Sequence, residues 1–255
     1  MQLQLLRHAT LVLEFAGVTL LVDPMLSPQG AMDPVADAAD PRRIPLVPLP
    51  LTDPELDALL GRIDAVLVTH THRDHWDGEA VRRVPKQVTV FCQPPDVEAI
   101  RAAGFTSVTP VADALEWRGI HLARTGGRHG HDALAARMGP VSGCVLRAAG
   151  EPVLYIAGDT VWCDDVRDAL DRWRPAVAVL NTGAAQFVTG RPITMDVADI
   201  EQVYDAAPGA TLVAVHMDAI NHCRLTRAAL REQLRGAGAR KRIVIPADGE
   251  TLSFS

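Results

Sequence analysis

The sequence predicts a layered α/β protein in which sheets are covered by helices. Short β-rich runs open the chain and recur to its end, amphipathic helical stripes fall between the later runs, and three apolar runs stop on a histidine or an aspartate. Strands first, then alternating strand and helix, fit stacked layers. The chain has 255 residues, 48% hydrophobic and 22% charged, which excludes disordered, collagen-like and coiled-coil classes. An α/β fold of roughly 250 residues is often one domain. No linker interrupts the pattern, so a single domain over residues 1–255 is expected.

The first strands are predicted at Leu3–Leu6, Leu11–Phe15 and Val18–Val22. His8-Ala9-Thr10 separates the first two, and Gly17 marks the next turn. Later runs are Ala65–Thr69, Val88–Phe91, Ile120–Ala123, Cys144–Arg147, Val153–Ala157, Ala176–Leu180, Leu212–Val215, Ile243–Ile245 and Thr251–Phe254. Helices are predicted where apolar residues recur every three or four positions. Trp162, Val166, Leu170 and Trp173 form one stripe; Val197, Ile200, Val203 and Tyr204 form another, stopped by Pro208-Gly209; Leu225, Ala229, Leu230 and Leu234 form a third. Asp77 is a candidate N-cap for a helix over Gly78–Val84.

Residues 24–54 hold 8 of the 18 prolines, which fit neither a helix interior nor a central strand. Two readings stay open: a stiff surface loop beside a site, or a wrapping segment with no chemistry.

Net charge −6 and a pI near 5.8 argue against charge-driven binding to nucleic acid or anionic membranes. No run approaches a membrane span, and Arg7, His8 and Glu14 interrupt any signal-peptide pattern. Cys92, Cys144, Cys163 and Cys223 are scattered, without a CxxC pair, as expected of reduced cysteines in a cytoplasmic protein.

The functional signal lies at strand ends. AVLVT runs into His70, VLYIAG into Asp159 and TLVAV into His216; Asp23 and Asn181 end their strands in the same way. Ligands of open α/β sheets sit beyond the carboxyl ends of strands, so one site is expected there. The strongest motif is His70-Thr71-His72-Arg73-Asp74-His75, an H-x-H-x-D-H pattern. In extended chain His70 and His72 point the same way. Asp74 and His75, at the following turn, can face a second point nearby. One segment can therefore serve two metals, and imidazoles mixed with carboxylates suit zinc, iron or manganese rather than calcium or magnesium.

With its LLVDPML, HTHRDH, TGGRHGH, IAGDT and VAVHMDAINH segments in that order, the chain resembles the metallo-β-lactamase-fold metallohydrolases along essentially its whole length. Among their branches it looks most like the bacterial ascorbate-6-phosphate lactonase-like proteins. The resemblance implies a four-layer αββα sandwich with a dinuclear metal centre along one edge. By that resemblance His70, His72 and His129 match the ligands of the first metal, with His131 as the alternative to His129. Asp74, His75 and His216 match those of the second, Asp159 matches the bridging carboxylate, and Asp23 matches a residue that supports the metal loops.

The expected activity is metal-dependent hydrolysis, with two divalent ions, zinc first and manganese or iron as alternatives, activating a shared water. Asp74 is expected to orient that water and His222 to donate to the leaving group or oxyanion, although a supporting or capping role for His222 is equally open. The expected substrate is a small metabolite, anionic among the options, with an ester, lactone or phosphoester bond. Two alternatives remain: a phosphodiesterase or nuclease acting on nucleic acid, and a non-catalytic metal-binding regulatory protein. No membrane partner is expected, and homo-oligomerisation stays open. Arg224, Arg227, Arg231 and Arg235, at helical spacing, read as a solvated face before a phosphate site. His121 reads as structural and Trp162 and Trp173 as core-facing; for Trp76, packing under the motif and lining the pocket are both open.

Overall fold

The computed structural model describes residues 1–235 and 241–255. It contains two seven-stranded sheets. The first has the order β14-β1-β2-β3-β4-β5-β6 and the second β13-β12-β11-β10-β9-β8-β7. The strands of the first sheet are β1 (Gln2–Arg7), β2 (Thr10–Phe15), β3 (Val18–Val22), β4 (Ala65–Val68), β5 (Thr89–Cys92), β6 (Ser107–Pro110) and β14 (Thr251–Ser253). Those of the second are β7 (Ala114–Trp117), β8 (Ile120–Thr125), β9 (Gly143–Arg147), β10 (Leu154–Ile156), β11 (Val177–Asn181), β12 (Thr211–Val215) and β13 (Ile243–Val244). The helices are α1 (Asp53–Leu60), α2 (Gly78–Arg83), α3 (Val97–Ala102), α4 (Asp132–Met138), α5 (Asp164–Trp173), α6 (Val197–Ala206) and α7 (Arg227–Arg235).

Strand alternation produces the layers. Successive side chains point to opposite faces, and here both faces are covered. Leu11, Leu13, Leu20, Val22 and Leu67 of the first sheet meet Leu146, Ile156, Val179, Val213 and Val215 of the second in a shared central core. The intervening Val12, Leu21, Val66 and Val68 face outward onto Leu56, Leu59, Leu60 and Ile100 of α1 and α3. Tyr155, Ala178, Leu180, Leu212 and Ala214 face the opposite way, onto Val166 and Leu170 of α5, Ile200 and Val203 of α6, and Leu230 and Leu234 of α7. The order is therefore helix, sheet, sheet, helix, the expected αββα sandwich. Among the described residues, no helix is long and apolar enough to cross a membrane.

The twelve expected strands are all present, with ends shifted by a residue or two; β6 and β7 are additional. The expected helices are present as α2, α5, α6 and α7, and Asp77 caps α2 by accepting from the Ala80 amide at 2.7 Å. α1, α3 and α4 are additional. α1 also trims the proline-rich segment: Pro54 occupies the first turn of that helix, where its missing amide hydrogen costs nothing. The remaining segment wraps the edge where the strands end. Arg7, fully buried, donates to the carbonyls of Met25 (2.8 Å), Ser27 (2.9 Å) and Val47 (3.0 Å). Asn221 holds the same segment from the other sheet, accepting from the Val35 amide (2.9 Å) and donating to the carbonyls of Val35 (3.2 Å) and Asp40 (2.7 Å).

Candidate metal centre

The carboxyl ends of β3, β4, β10 and β12 deliver Asp23, His70, Asp159 and His216 to one seam between the sheets. The backbone bends sharply to aim them: Asp23 and His216 have φ of +43° and +69°, left-handed values that only surrounding packing sustains in a non-glycine residue. After β4 the chain leaves the sheet and turns, with the amides of His75 and Trp76 both bonding the His72 carbonyl at 2.8 Å. This turn places Asp74 and His75 beside a second point, while His70 and His72 remain at the first.

Three groups have donor atoms within 4.8 Å of one another: His70, His72 and His129; His70, His75 and Asp159; and His8, Asp74, His75 and His216. Asp159 lies between them. Its Oδ2 is 3.4 Å from His129 Nε2, 3.3 Å from His75 Nε2 and 3.8 Å from His70 Nε2, while Oδ1 is 3.2 Å from His216 Nε2. Its position depends on Gly158, at φ +68°, where a Cβ would collide with the Ser142 carbonyl oxygen.

Surrounding groups fix which ring nitrogens face the seam. The Ile193 carbonyl can only accept, so His129 Nδ1 donates to it (2.8 Å) and Nε2 keeps its lone pair for the site. His75 Nδ1 donates to Asp23 Oδ2 at 2.8 Å, which turns its Nε2 toward the site, and Asp23 Oδ1 accepts from the Thr69 amide at 2.7 Å. Asn181 Nδ2 donates to Asp159 Oδ1 at 2.7 Å. This is the pattern by which outer hydrogen bonds orient metal-binding imidazoles and carboxylates.

Electrostatics follow from burial and crowding. Burial alone would lower His75, but Asp159 and Asp23 override it and raise it to about 10. Burial is likewise overridden at His216, held well above the ordinary histidine value by Asp159. Burial would raise Asp74 and Asp159, yet the adjacent histidines hold both carboxyls well below their ordinary value. Burial dominates at His222, which is lowered to about 4 and is therefore neutral at pH 7. Its Nδ1 is buried without a hydrogen-bond partner.

The seam thus gathers imidazole nitrogens and ionised carboxylates around common points, a donor set that fits a pair of borderline divalent ions once the protons held on His75 and His216 are displaced. All seven residues that the motifs nominate lie in these groups. His131 does not: it is the half-buried N-cap residue of α4. The sequence did not single out His8 as a member, nor Cys223, whose Sγ is 3.7 Å from His216 Nδ1. Trp76 packs against Phe105 in the outer core, ring centroids 5.2 Å apart. Trp162 and Trp173 are partly buried against the core under α5 and α6. His121 pairs with Glu116 at 2.6 Å. The arginine stripe is largely the solvated face expected, with Arg224, Arg231 and Arg235 exposed and Arg227 the buried exception. Arg227 is buried between Asp218 and Asp248, Arg224 and Arg231 donate to the carbonyls of Phe187 and Ile245, and Arg235 pairs with Glu232.

The sandwich and its seam define a metal-dependent hydrolase of the metallo-β-lactamase superfamily, and the model of the beta-lactamase superfamily domain matches residues 19–217. Over its whole length, and the whole of the relative, the chain is 37% identical to UPF0173 protein YddR of Bacillus subtilis. It is 28% identical to a UPF0173 metal-dependent hydrolase of Saccharolobus solfataricus over 71% of each chain. The chain belongs to the UPF0173 family of this superfamily. Among solved structures it is similar to an isothiocyanate hydrolase from Delia radicum gut bacteria, with TM-score 0.94 and 42% identity over 100% of this chain and 99% of the other. It is equally similar to a possible metal-dependent hydrolase from Veillonella parvula, with TM-score 0.95 and 37% identity over the same shares. The lactonase-like branch expected from the motifs gains no support from these relatives.

Proposed function

We propose that this chain hydrolyses small organic isothiocyanates, adding water to the central carbon of the N=C=S group. One observation carries the substrate: 42% identity over the entire chain to an isothiocyanate hydrolase. The donor groups at the seam support the chemistry. His70, His72 and His129 would hold one ion, Asp74, His75 and His216 a second, and Asp159 would lie between them. Zinc fits this set best, with manganese or iron next. Two such ions would lower the pKa of a shared water toward neutrality and offset the charge that develops on the substrate.

The chain's own residues do the rest. Asp23 and Asn181 keep His75 and Asp159 aimed, so no reorganisation is needed when charge develops. Asp74 accepts a hydrogen bond from the attacking water and orients it. Neutral His222 donates an N–H to the substrate nitrogen as the C–N multiple bond is lost. Addition gives a thiocarbamate; a proton on nitrogen then lets it part into an amine and carbonyl sulfide, so the atoms of R–N=C=S and H2O are all accounted for.

The test is metal analysis followed by turnover of an aliphatic and an aromatic isothiocyanate, beside a chromogenic lactone and a phosphodiester. Metal-dependent release of amine that Asp159→Ala abolishes is the expected result. Preferential turnover of the lactone or phosphodiester would return the substrate to the ester classes. Bound metal with no turnover at all would leave a metal-binding protein.

A further inference from the structure

His8 reaches the metal centre from outside every metal-binding motif in the chain. It sits on the turn between β1 and β2 with φ +60° and is fully buried. His216, at the end of β12 in the other sheet, lies directly against it. The His216 amide donates to the His8 carbonyl at 2.8 Å, and the two ring centroids are 3.6 Å apart. His8 Nε2 is 3.3 Å from Asp74 Oδ2. That same oxygen faces His216 Nε2 at 3.7 Å and His75 Nε2 at 3.9 Å. An ionised carboxylate only accepts, so His8 Nε2 is the donor, and its Nδ1 is buried without a partner.

The geometry points to His8 as a positioning residue for the second donor group: it fixes the Asp74 carboxylate by a hydrogen bond and the His216 ring by face contact, so that both present lone pairs to one point. The inference rests on the reading of Asp74 and His216 as metal ligands. A carboxylate free to rotate, or a ring free to tilt, would meet the ion at the wrong angle. His8 removes both freedoms from a position 66 residues before Asp74 and more than 200 before His216. With its Nε2–H engaged by Asp74, His8 has no lone pair left at that nitrogen to act as a ligand itself.

The experiment is titration of the metal-free protein with zinc, fitting the two binding steps separately, for the wild type, His8→Phe, His8→Gln and Asp74→Ala. Phe keeps a ring against His216 but has no N–H; Gln places an N–H near the original Nε2 but has no ring. His8→Phe is expected to weaken the second ion about 10–100-fold, the usual effect of removing an outer-shell partner, and to leave the first ion unchanged. His8→Gln is expected to recover most of that loss. Wild-type affinity for both ions in His8→Phe, or a second-site defect in His8→Gln equal to that of Phe, would overturn the role. So would loss of both ions in both variants. If Asp74→Ala loses the second ion while His8→Phe keeps it, only the His8 inference fails. If Asp74→Ala retains both ions, the ligand reading fails and takes this inference with it.

Discussion

Asp23 and His75 form the buried hydrogen bond on which the orientation of the second donor group depends. Asp23 Oδ2 lies 2.8 Å from His75 Nδ1 and 2.7 Å from the Thr69 hydroxyl, and Oδ1 accepts from the Thr69 amide. All of these partners are donors. Asp23→Asn would keep one acceptor for the Thr69 amide and turn an NH2 toward His75. His75 would then have to accept at Nδ1 and carry its proton at Nε2, the nitrogen that faces the ions. A 10–100-fold loss of metal affinity with little change in fold is expected, read by competition with a chromophoric chelator.

Metal binding should release protons. His75, raised to about 10, and His216, raised well above its ordinary value, are both protonated at pH 7 in the metal-free protein. A metal ligand must be neutral, so binding displaces these protons and apparent affinity rises with pH, by about tenfold per pH unit for each proton released. The rise should continue until the pH nears 10, the His75 value. Calorimetry in two buffers of different ionisation enthalpy counts the protons; zero release would contradict the assignment of His75 and His216.

Stripping the metal should lower thermal stability. Ions that bind only the folded chain stabilise it by about 2.7 kcal/mol at a hundredfold excess over Kd. For a chain of this size that corresponds to a Tm difference of roughly 5–10 °C for each ion bound, between chelated and metal-loaded protein. Differential scanning calorimetry with and without chelator reads it directly.

Gly158→Ala should damage both fold and site. The left-handed backbone and the clash with the Ser142 carbonyl each oppose a side chain there. A loss of at least about 2 kcal/mol is expected, with weaker binding of both ions because Asp159 follows directly. Urea unfolding and metal titration measure the two effects.

Asn221→Ala should loosen the proline-rich segment. Three hydrogen bonds to Val35 and Asp40 would be lost, leaving partly buried backbone groups unpaired, at a cost of about 1–3 kcal/mol. Faster proteolytic nicking within residues 31–43 is the expected signature, and nicking rates equal to wild type would show that the clamp is elsewhere.

Much of the fold was legible because its central strands are buried on both faces. Runs such as VTLLV and TLVAV are apolar at nearly every position, and sequence reading registers such runs well. The elements it missed lack that signature. β6 and β7 contain half-exposed and exposed residues, α3 is a turn and a half long, and no residue of α4 is buried. At the centre, the H-x-H-x-D-H pattern was legible because one short segment carries four donor residues. His129 was nominated together with His131, and what separates them is the Ile193 carbonyl, 64 residues away, which orients the His129 ring. The proximity of His8 was illegible, since nothing local to the β1–β2 turn indicates that β12 of the other sheet will end against it.

The donor residues are divided between the sheets. His8, Asp23, His70, His72, Asp74 and His75 belong to the half that ends with β6, and His129, Asp159, His216 and His222 to the half that begins with β7. A pair of cations seated at this junction would act as rivets through two plates. Severing the chain between Pro110 and Ala114 would yield fragments that each hold an incomplete coordination sphere, and their reassembly should then depend on zinc concentration.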